Sequence, residues 1–261
     1  MPRFSANLSL LFNEVEFLDR FEAAARAGFE GVEYLFPYAW PAEELAERLS
    51  RHGLTQALFN LPPGDWEAGE RGIAALPGRE SEFQDSVGTA IAYAKALGCR
   101  RVHAMAGLVA EGADRERMQE TYLNNLRFAA AACAGHGIRL LIEAINTRDM
   151  PGYFLNHSWQ ARRIIEAVGG DNLFFQYDFY HMQIMEGNLA ATVAANWDII
   201  GHFQLAGVPG RHEPDNGEIH YPFLFELLDT KGYDGWIGCE YRPRTTTLEG
   251  LGWGRAYGIG T

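Results

Sequence analysis

The sequence predicts an α/β fold of the (β/α)8 TIM-barrel class. Short apolar runs alternate with helix-period segments eight times, and strands alternating with helices mean a parallel sheet. Eight such units in 261 residues is the size of a closed barrel. No linker or shift in composition interrupts the chain, so residues 1–261 are expected to form a single barrel domain. A doubly wound sheet holding a dinucleotide is the rival architecture, but no GxGxxG follows an early strand.

The elements follow in order. Phe4 to Leu10 is the first strand, and Val15 to Ala27 has helical spacing in Phe17, Leu18, Phe21, Ala24 and Ala25. Gly28 closes that helix, and Gly31 to Leu35 is the second strand. Pro41 suits the first turn of a helix reaching Arg51, and Leu54 to Leu61 is the third strand. Pro62 to Gly78, rich in Gly and Pro, is the longest loop, and such loops in compact domains tend to be functional or mobile. Glu80 to Leu97 is a helix, Arg101 to Ala106 the fourth strand, and Arg115 to Gly135 a long Ala-rich helix. Ile138 to Ile145 is the fifth strand, an almost unbroken apolar run of the kind buried on both faces of a parallel sheet. Ser158 is the expected N-cap of a helix to Val168. Leu173 to Phe179 is the sixth strand, Asn188 to Asp198 a helix, Ile199 to Ala206 the seventh strand and Pro222 to Lys231 a helix. Gly235 to Tyr241 is the eighth strand, and Thr245 to Tyr257 supplies a last helix.

Composition narrows the function. The net charge is −12, with 22 basic against 34 acidic side chains. An acidic surface argues against nucleic acid and against an anionic membrane. No apolar run approaches the ~20 residues of a membrane span. The opening MPRFSANLSLLF is too short and polar for a signal peptide. Cys99, Cys133 and Cys239 are widely spaced in apolar surroundings and read as free thiols of a reducing compartment, so a cytoplasmic protein is expected.

Chemistry is concentrated at strand ends. In a barrel, the C-terminal ends of all strands face one pocket. Glu143, Asp178, Gln204 and Glu240 close the fifth to eighth strands, in LLIE, FFQYD, GHFQ and WIGCE. All four offer oxygen, the donor that hard cations such as Mg2+ or Mn2+ select. A cation also lets three carboxylates share a site without protonating. His181 lies three residues past Asp178 in the loop after the strand, and Arg211 and His212 lie in the loop after Gln204. Arg211 suits a substrate carboxylate or oxyanion. His103 reads as a hydrogen-bonded core histidine, and Glu186 is either a site residue or a solvated loop residue.

At these residues the chain resembles a known family. IEAIN, YDFYH, HFQLAGVPGRHEP and GCEYRP are similar to the xylose isomerase-like TIM-barrel superfamily. The opening FSANLSLLFNEVEFLDRFEAAARAGFEGVEYLFPY and FNLPPGDWEAGERGIAALPGRE resemble the hydroxypyruvate isomerase family within it. The resemblance implies that Glu143, Asp178, Gln204 and Glu240 are metal ligands, and the neutral oxygen of Gln204 favours Mg2+ ahead of Mn2+. It also implies that Glu143 and Glu240 are the catalytic acid–base pair and that His181 and Arg211 contact substrate. Gln204 stands where ketose epimerases of the superfamily carry His. The implied partner is a small sugar acid, with hydroxypyruvate and tartronate semialdehyde interconverted through an enediolate. A 2-oxo-tetronate isomerase, a ketose 3-epimerase and a non-catalytic sugar-acid binding protein stay open as alternatives. A homo-oligomer also stays open: Trp253 and Tyr257 either serve an interface or, as expected, pack the last helix on the barrel.

Overall fold

A computed structural model describes residues 2–260; Met1 and Thr261, the outermost residues of the expected domain, lie outside the described residues. Eight parallel strands close into a barrel in sequence order: β1 (Arg3–Asn7), β2 (Gly31–Glu33), β3 (Thr55–Asn60), β4 (Arg101–His103), β5 (Arg139–Glu143), β6 (Leu173–Asp178), β7 (Ile200–Leu205) and β8 (Trp236–Cys239). The ring closes where β1 pairs with β8, from Arg3 opposite Trp236 to Ala6 opposite Cys239. Every predicted strand is present, and each is trimmed at its C-terminal end, where the chain turns into the loops of the pocket.

Successive side chains of a strand point to opposite faces. Ala6, Val32, Val102, Leu140, Ile142, Phe175, Phe203 and Ile237 are buried in the apolar core between the sheet and its helices. Their neighbours Ser5, Glu33, His103, Gln176, His202 and Gln204 are also buried, but they fill the barrel's interior with polar groups. The barrel is therefore lined with side chains that must satisfy one another.

The helices are α1 (Arg20–Arg26), α2 (Ala42–His52), α3 (Glu80–Leu97), α4 (Arg115–Ala134), α5 (Ser158–Val168), α6 (Phe179–Met185), α7 (Leu189–Asn196), α8 (Tyr221–Thr230) and α9 (Thr247–Gly250). Several expectations change. The first helix is split, with a 3-10 turn at Phe17–Asp19 before α1. The last is only α9 followed by a 3-10 stretch, Leu251–Tyr257. His181 lies on a helix, α6, rather than in a loop, because the Asp178 carboxylate accepts the N–H of Tyr180 and starts a helix directly at the strand end.

Ser158 is not a cap but the first residue of α5; its N–H and Oγ both donate to Glu186, at 2.8 and 2.7 Å. Glu186 is thus spent on an anion's natural place at a helix N-terminus. Trp253 and Tyr257 pack edge-on against Phe4, with centroids 5.2 and 5.4 Å away, so the final turns seal the barrel as expected. Among the described residues no helix is long and apolar enough to cross a membrane.

Candidate active site

A cavity of about 500 Å³ opens at the C-terminal end of the barrel. Glu143 ends β5, Asp178 ends β6, and Glu240 follows β8 directly. All three carboxylates are buried. Glu143, Asp178 and His181 present atoms within 4.8 Å of one another, a grouping able to hold a metal ion. Glu143 Oε1 and Asp178 Oδ2 have no hydrogen-bond partner among the described residues. Buried charged oxygens left unpaired are costly, so these atoms are built for something outside the chain.

Burial is the first cause of every titration shift here. It drives the Glu143 carboxyl well above its ordinary range, with Glu240 and Asp178 adding repulsion. It pushes Glu240 to about 8 and Asp178 to about 6, against the opposing pull of Arg211. The His181 imidazole is held well below its usual value by burial and then by Arg211, so it is neutral. His103 falls to about 3 for want of solvation. Its Nδ1 meets Asn60 Oδ1 at 3.2 Å, and its edge faces the cavity, so it is a pocket residue and not only a core histidine.

Which imidazole nitrogen of His181 carries the proton follows from the backbone. The N–H of Asn146 can only donate, and it points at His181 Nδ1 from 3.3 Å. The Asn146 side-chain Nδ2 is 2.7 Å from the same nitrogen, while Oδ1 is taken by the N–H groups of Arg148 and Asp149. Nδ1 therefore accepts, and the proton sits on Nε2, 3.6 Å from Asp178 and 3.8 Å from Glu143. In this arrangement His181 offers the cavity a donor rather than a lone pair.

Arg211 sits in left-handed backbone, φ 55°, pinned by Arg211 N–H to Gly207 O and by its own carbonyl to Arg242 N–H, both 2.8 Å. Its guanidinium meets Glu240 at 2.9, Asp149 at 3.6 and Asp178 at 3.9 Å, and its buried Nε has no partner among the described residues. His212 turns away to bond the Arg242 carbonyl. Gln204 is held at both ends: Nε2 donates to Glu33 at 2.8 Å, and Oε1 accepts from Gln176 at 2.7 Å. Its oxygen keeps one lone pair for the cavity.

The centre of that second network is Glu33, which the sequence reading passed over. It also accepts from Ser5 at 2.8, His202 at 2.9 and Asn7 at 3.4 Å. Gly238 makes the room, since a Cβ there would overlap the Glu33 carboxylate. Its signal was the same as for Glu143: a carboxylate closing an apolar strand, hidden because β2 stops two residues earlier than expected. The donor set fits a divalent cation: three buried carboxylates at the ends of β5, β6 and β8, two with orphaned oxygens, and the amide oxygen of Gln204 on β7.

Fold and site together define a barrel enzyme architecture with a carboxylate centre at the strand C-termini. Residues 21–257 match the model of the xylose isomerase-like TIM-barrel family. A 2-oxo-tetronate isomerase from Cupriavidus necator is 59% identical over 98% of this chain and 99% of its own. The hydroxypyruvate isomerase of Escherichia coli is 51% identical over 97% and 98%. A solved Brucella melitensis structure described as an AP endonuclease of family 2 superposes with a TM-score of 0.97 at 53% identity, covering 98% and 99%. The chain belongs to the xylose isomerase-like TIM-barrel family.

Proposed function

We propose that this chain is a sugar-acid isomerase that interconverts hydroxypyruvate and tartronate semialdehyde. The observation that carries the reading is the pair of buried carboxyls, Glu143 and Glu240, which line one cavity and whose pKa values burial raises above the ordinary carboxylate range, that of Glu240 to about 8. Groups poised there both take and return protons near neutral pH. Relatives named hydroxypyruvate isomerase and 2-oxo-tetronate isomerase support an isomerase acting on a short sugar acid.

The isomerisation removes a hydrogen from C3 of hydroxypyruvate as a proton and returns one to C2. The hydroxyl proton on the C3 oxygen passes to the C2 oxygen, and no electrons leave the substrate. One of the two glutamates takes the C3 proton and the other delivers a proton to C2. His181 Nε2–H and the free Nε of Arg211 hold the two oxygens while negative charge develops on them in the enediolate. A divalent cation, Mg2+ before Mn2+, would be held by Glu143, Asp178, Glu240 and the Gln204 oxygen. Once bound it would supply Lewis-acid polarisation. The buried free thiols suit a reducing, cytoplasmic setting.

A four-carbon 2-oxo acid is the second reading. The Cupriavidus relative bears the matching name, and a cavity of about 500 Å³ holds more than a three-carbon acid. The description of the Brucella structure suggests a nuclease, but the chain's properties oppose that reading: the net charge is −12, and the site is a buried, carboxylate-lined cavity that repels a phosphodiester backbone.

The test strips the protein with chelator and follows each acid by proton NMR with and without Mg2+ or Mn2+. Metal-dependent appearance of tartronate semialdehyde, with deuterium entering at carbon, is expected. Turnover of the four-carbon acid alone selects the second reading, and turnover of neither sinks both.

A further inference from the structure

An acidic cavity that admits an anion needs a cation not already spent. Arg211 faces Glu240, Asp149 and Asp178. Arg71, in the long loop after β3, also lines the cavity, and among the described residues it pairs with no carboxylate. We infer that Arg71 is the residue that holds the carboxylate of the substrate acid and so sets the preference for acids over neutral sugars. This rests on the sugar-acid reading above.

The side chain is fixed in advance. Its guanidinium lies over the Trp66 ring, 4.0 Å from the centroid. Nη1 donates to the carbonyls of Trp66 and Glu70, at 3.1 and 2.7 Å. Among the described residues Nε and Nη2 have no hydrogen-bond partner, and they form the guanidinium edge that takes a carboxylate through two parallel hydrogen bonds.

The loop is equally fixed. Gly72 bridges to Ala106 beyond β4, and its φ of +101° and tight approach to Met105 leave no space for a Cβ. Ala74 and Ala75 N–H groups bond the carbonyls of Met105 and Ala106, and Asn125 holds the Ala74 carbonyl at 2.9 Å. Glu70 bridges the loop's two ends, accepting from Asp65 N–H at 2.6 Å and pairing with Arg79. A pre-ordered cation spends no side-chain entropy on binding. The acid end of the substrate then lies toward Arg71, and its carbonyl end lies between Glu143 and Glu240.

The experiment compares Arg71→Met, Arg71→Lys and Arg242→Met in the Mg2+-loaded protein. Two substrates are used: hydroxypyruvate, and dihydroxyacetone, in which a hydroxymethyl group replaces the carboxylate. Arg71→Met is expected to lower kcat/KM for hydroxypyruvate by about 10- to 100-fold, the effect of losing a hydrogen-bonded charge partner, mainly through KM. The loss for dihydroxyacetone is expected to be far smaller, so the acid preference collapses. Arg71→Lys keeps the charge without the fork, and an intermediate loss is expected.

An equal loss for both substrates overturns the inference, as does a hydroxypyruvate loss confined to Arg242→Met, the other arginine at the cavity rim. Calorimetric titration with tartronate, an unreactive dicarboxylate, separates this idea from the isomerase reading. If the parent turns over no acid yet binds tartronate and Arg71→Met does not, the site assignment stands and the reaction assignment falls. Tartronate binding that is equal in parent and variant, or absent from the parent, overturns the Arg71 assignment.

Discussion

Replacing Glu33 tests whether a buried carboxylate outside the expected catalytic pair organises the pocket. Glu33→Met keeps the length of the side chain and removes both oxygens. Four donors then lose their acceptor: Ser5 Oγ, Asn7 Nδ2, His202 Nε2 and Gln204 Nε2. Three of those bonds are 2.8–2.9 Å long, and the Asn7 bond, at 3.4 Å, is weak. Removing one partner of a buried charged cluster costs about 3–5 kcal/mol. At about 2–4 °C per kcal/mol for a chain of this size, the melting temperature falls by roughly 6–20 °C. Glu33→Gln is expected to cost less. The Ser5 hydroxyl can turn to accept, and His202 can carry its proton on the unpartnered Nδ1 so that Nε2 accepts. Glu33→Met releases the Gln204 amide, and metal affinity drops by about 10- to 100-fold as ligand orientation is lost, whereas the remaining oxygen in Glu33→Gln still accepts from Gln204. Scanning calorimetry and a Mg2+ titration read the two effects. A Glu33→Met protein that melts with the parent and binds metal equally well would refute the reasoning.

Other perturbations follow from the same geometry. Gly238→Ala drives a methyl group into the Glu33 carboxylate and should cost about 1–3 kcal/mol in urea unfolding, with a smaller loss marking a looser network than the hydrogen bonds describe. Glu143→Gln and Glu240→Gln should each lower turnover by about 10²–10⁴-fold while leaving the fold intact, and near-parental turnover in either removes the two-carboxylate scheme. The pH dependence of stability has a definite sign. Asp178 and Glu240 titrate near 6 and 8 in the fold, both above their unfolded values. Their contribution is complete below the ordinary carboxylate range and is lost as pH rises through 6 to 8. Chelated protein should therefore melt lower at pH 8 than at pH 5. Saturating Mg2+ should narrow or reverse the difference, because a cation prefers the deprotonated carboxylates. A chelated protein that gains stability across that interval would contradict the burial argument.

What the sequence made legible, and what it hid, has a common physical cause. All eight strands were readable because the residues facing the helices are apolar in every strand. Glu143, Asp178, Gln204 and Glu240 stood out as polar residues breaking such runs, and the structure brings all of them to one end of the barrel. Glu33, Asn7, Asn60 and His103 break runs in the same way. The first three were missed, and His103 was read as a core residue, because the ends of the first four strands were drawn one to three residues too far, which turned terminal residues into internal ones. The tautomer of His181 and the capping role of Glu186 were beyond reach for another reason. Both depend on hydrogen bonds between groups far apart in the chain, Asn146 with His181 and Ser158 with Glu186. Arg71 was hidden inside a loop whose shape is set by long-range bonds to Met105, Ala106 and Asn125.

The charge balance of the cavity ties these parts together. Glu33, Glu143, Asp149 and Glu240 line it, and Asp178 lies within 3.9 Å of Arg211. Burial opposes ionisation of the three catalytic-end carboxyls, and Arg211 alone does not restore them, since each remains raised despite its pull. A carboxylate ligand entering such a field meets repulsion unless two further positive charges take part. One belongs at the reacting end, where orphaned oxygens of Glu143 and Asp178 face inward and oxygen donors cluster. The other belongs at the far end, where Arg71 stands with a free edge on a braced loop. A neutral ketose needs only the first of these, and an acid needs both. The two ends can therefore be separated by experiment: removing the cation should abolish turnover of acid and ketone alike, whereas removing the Arg71 guanidinium should spare the ketone.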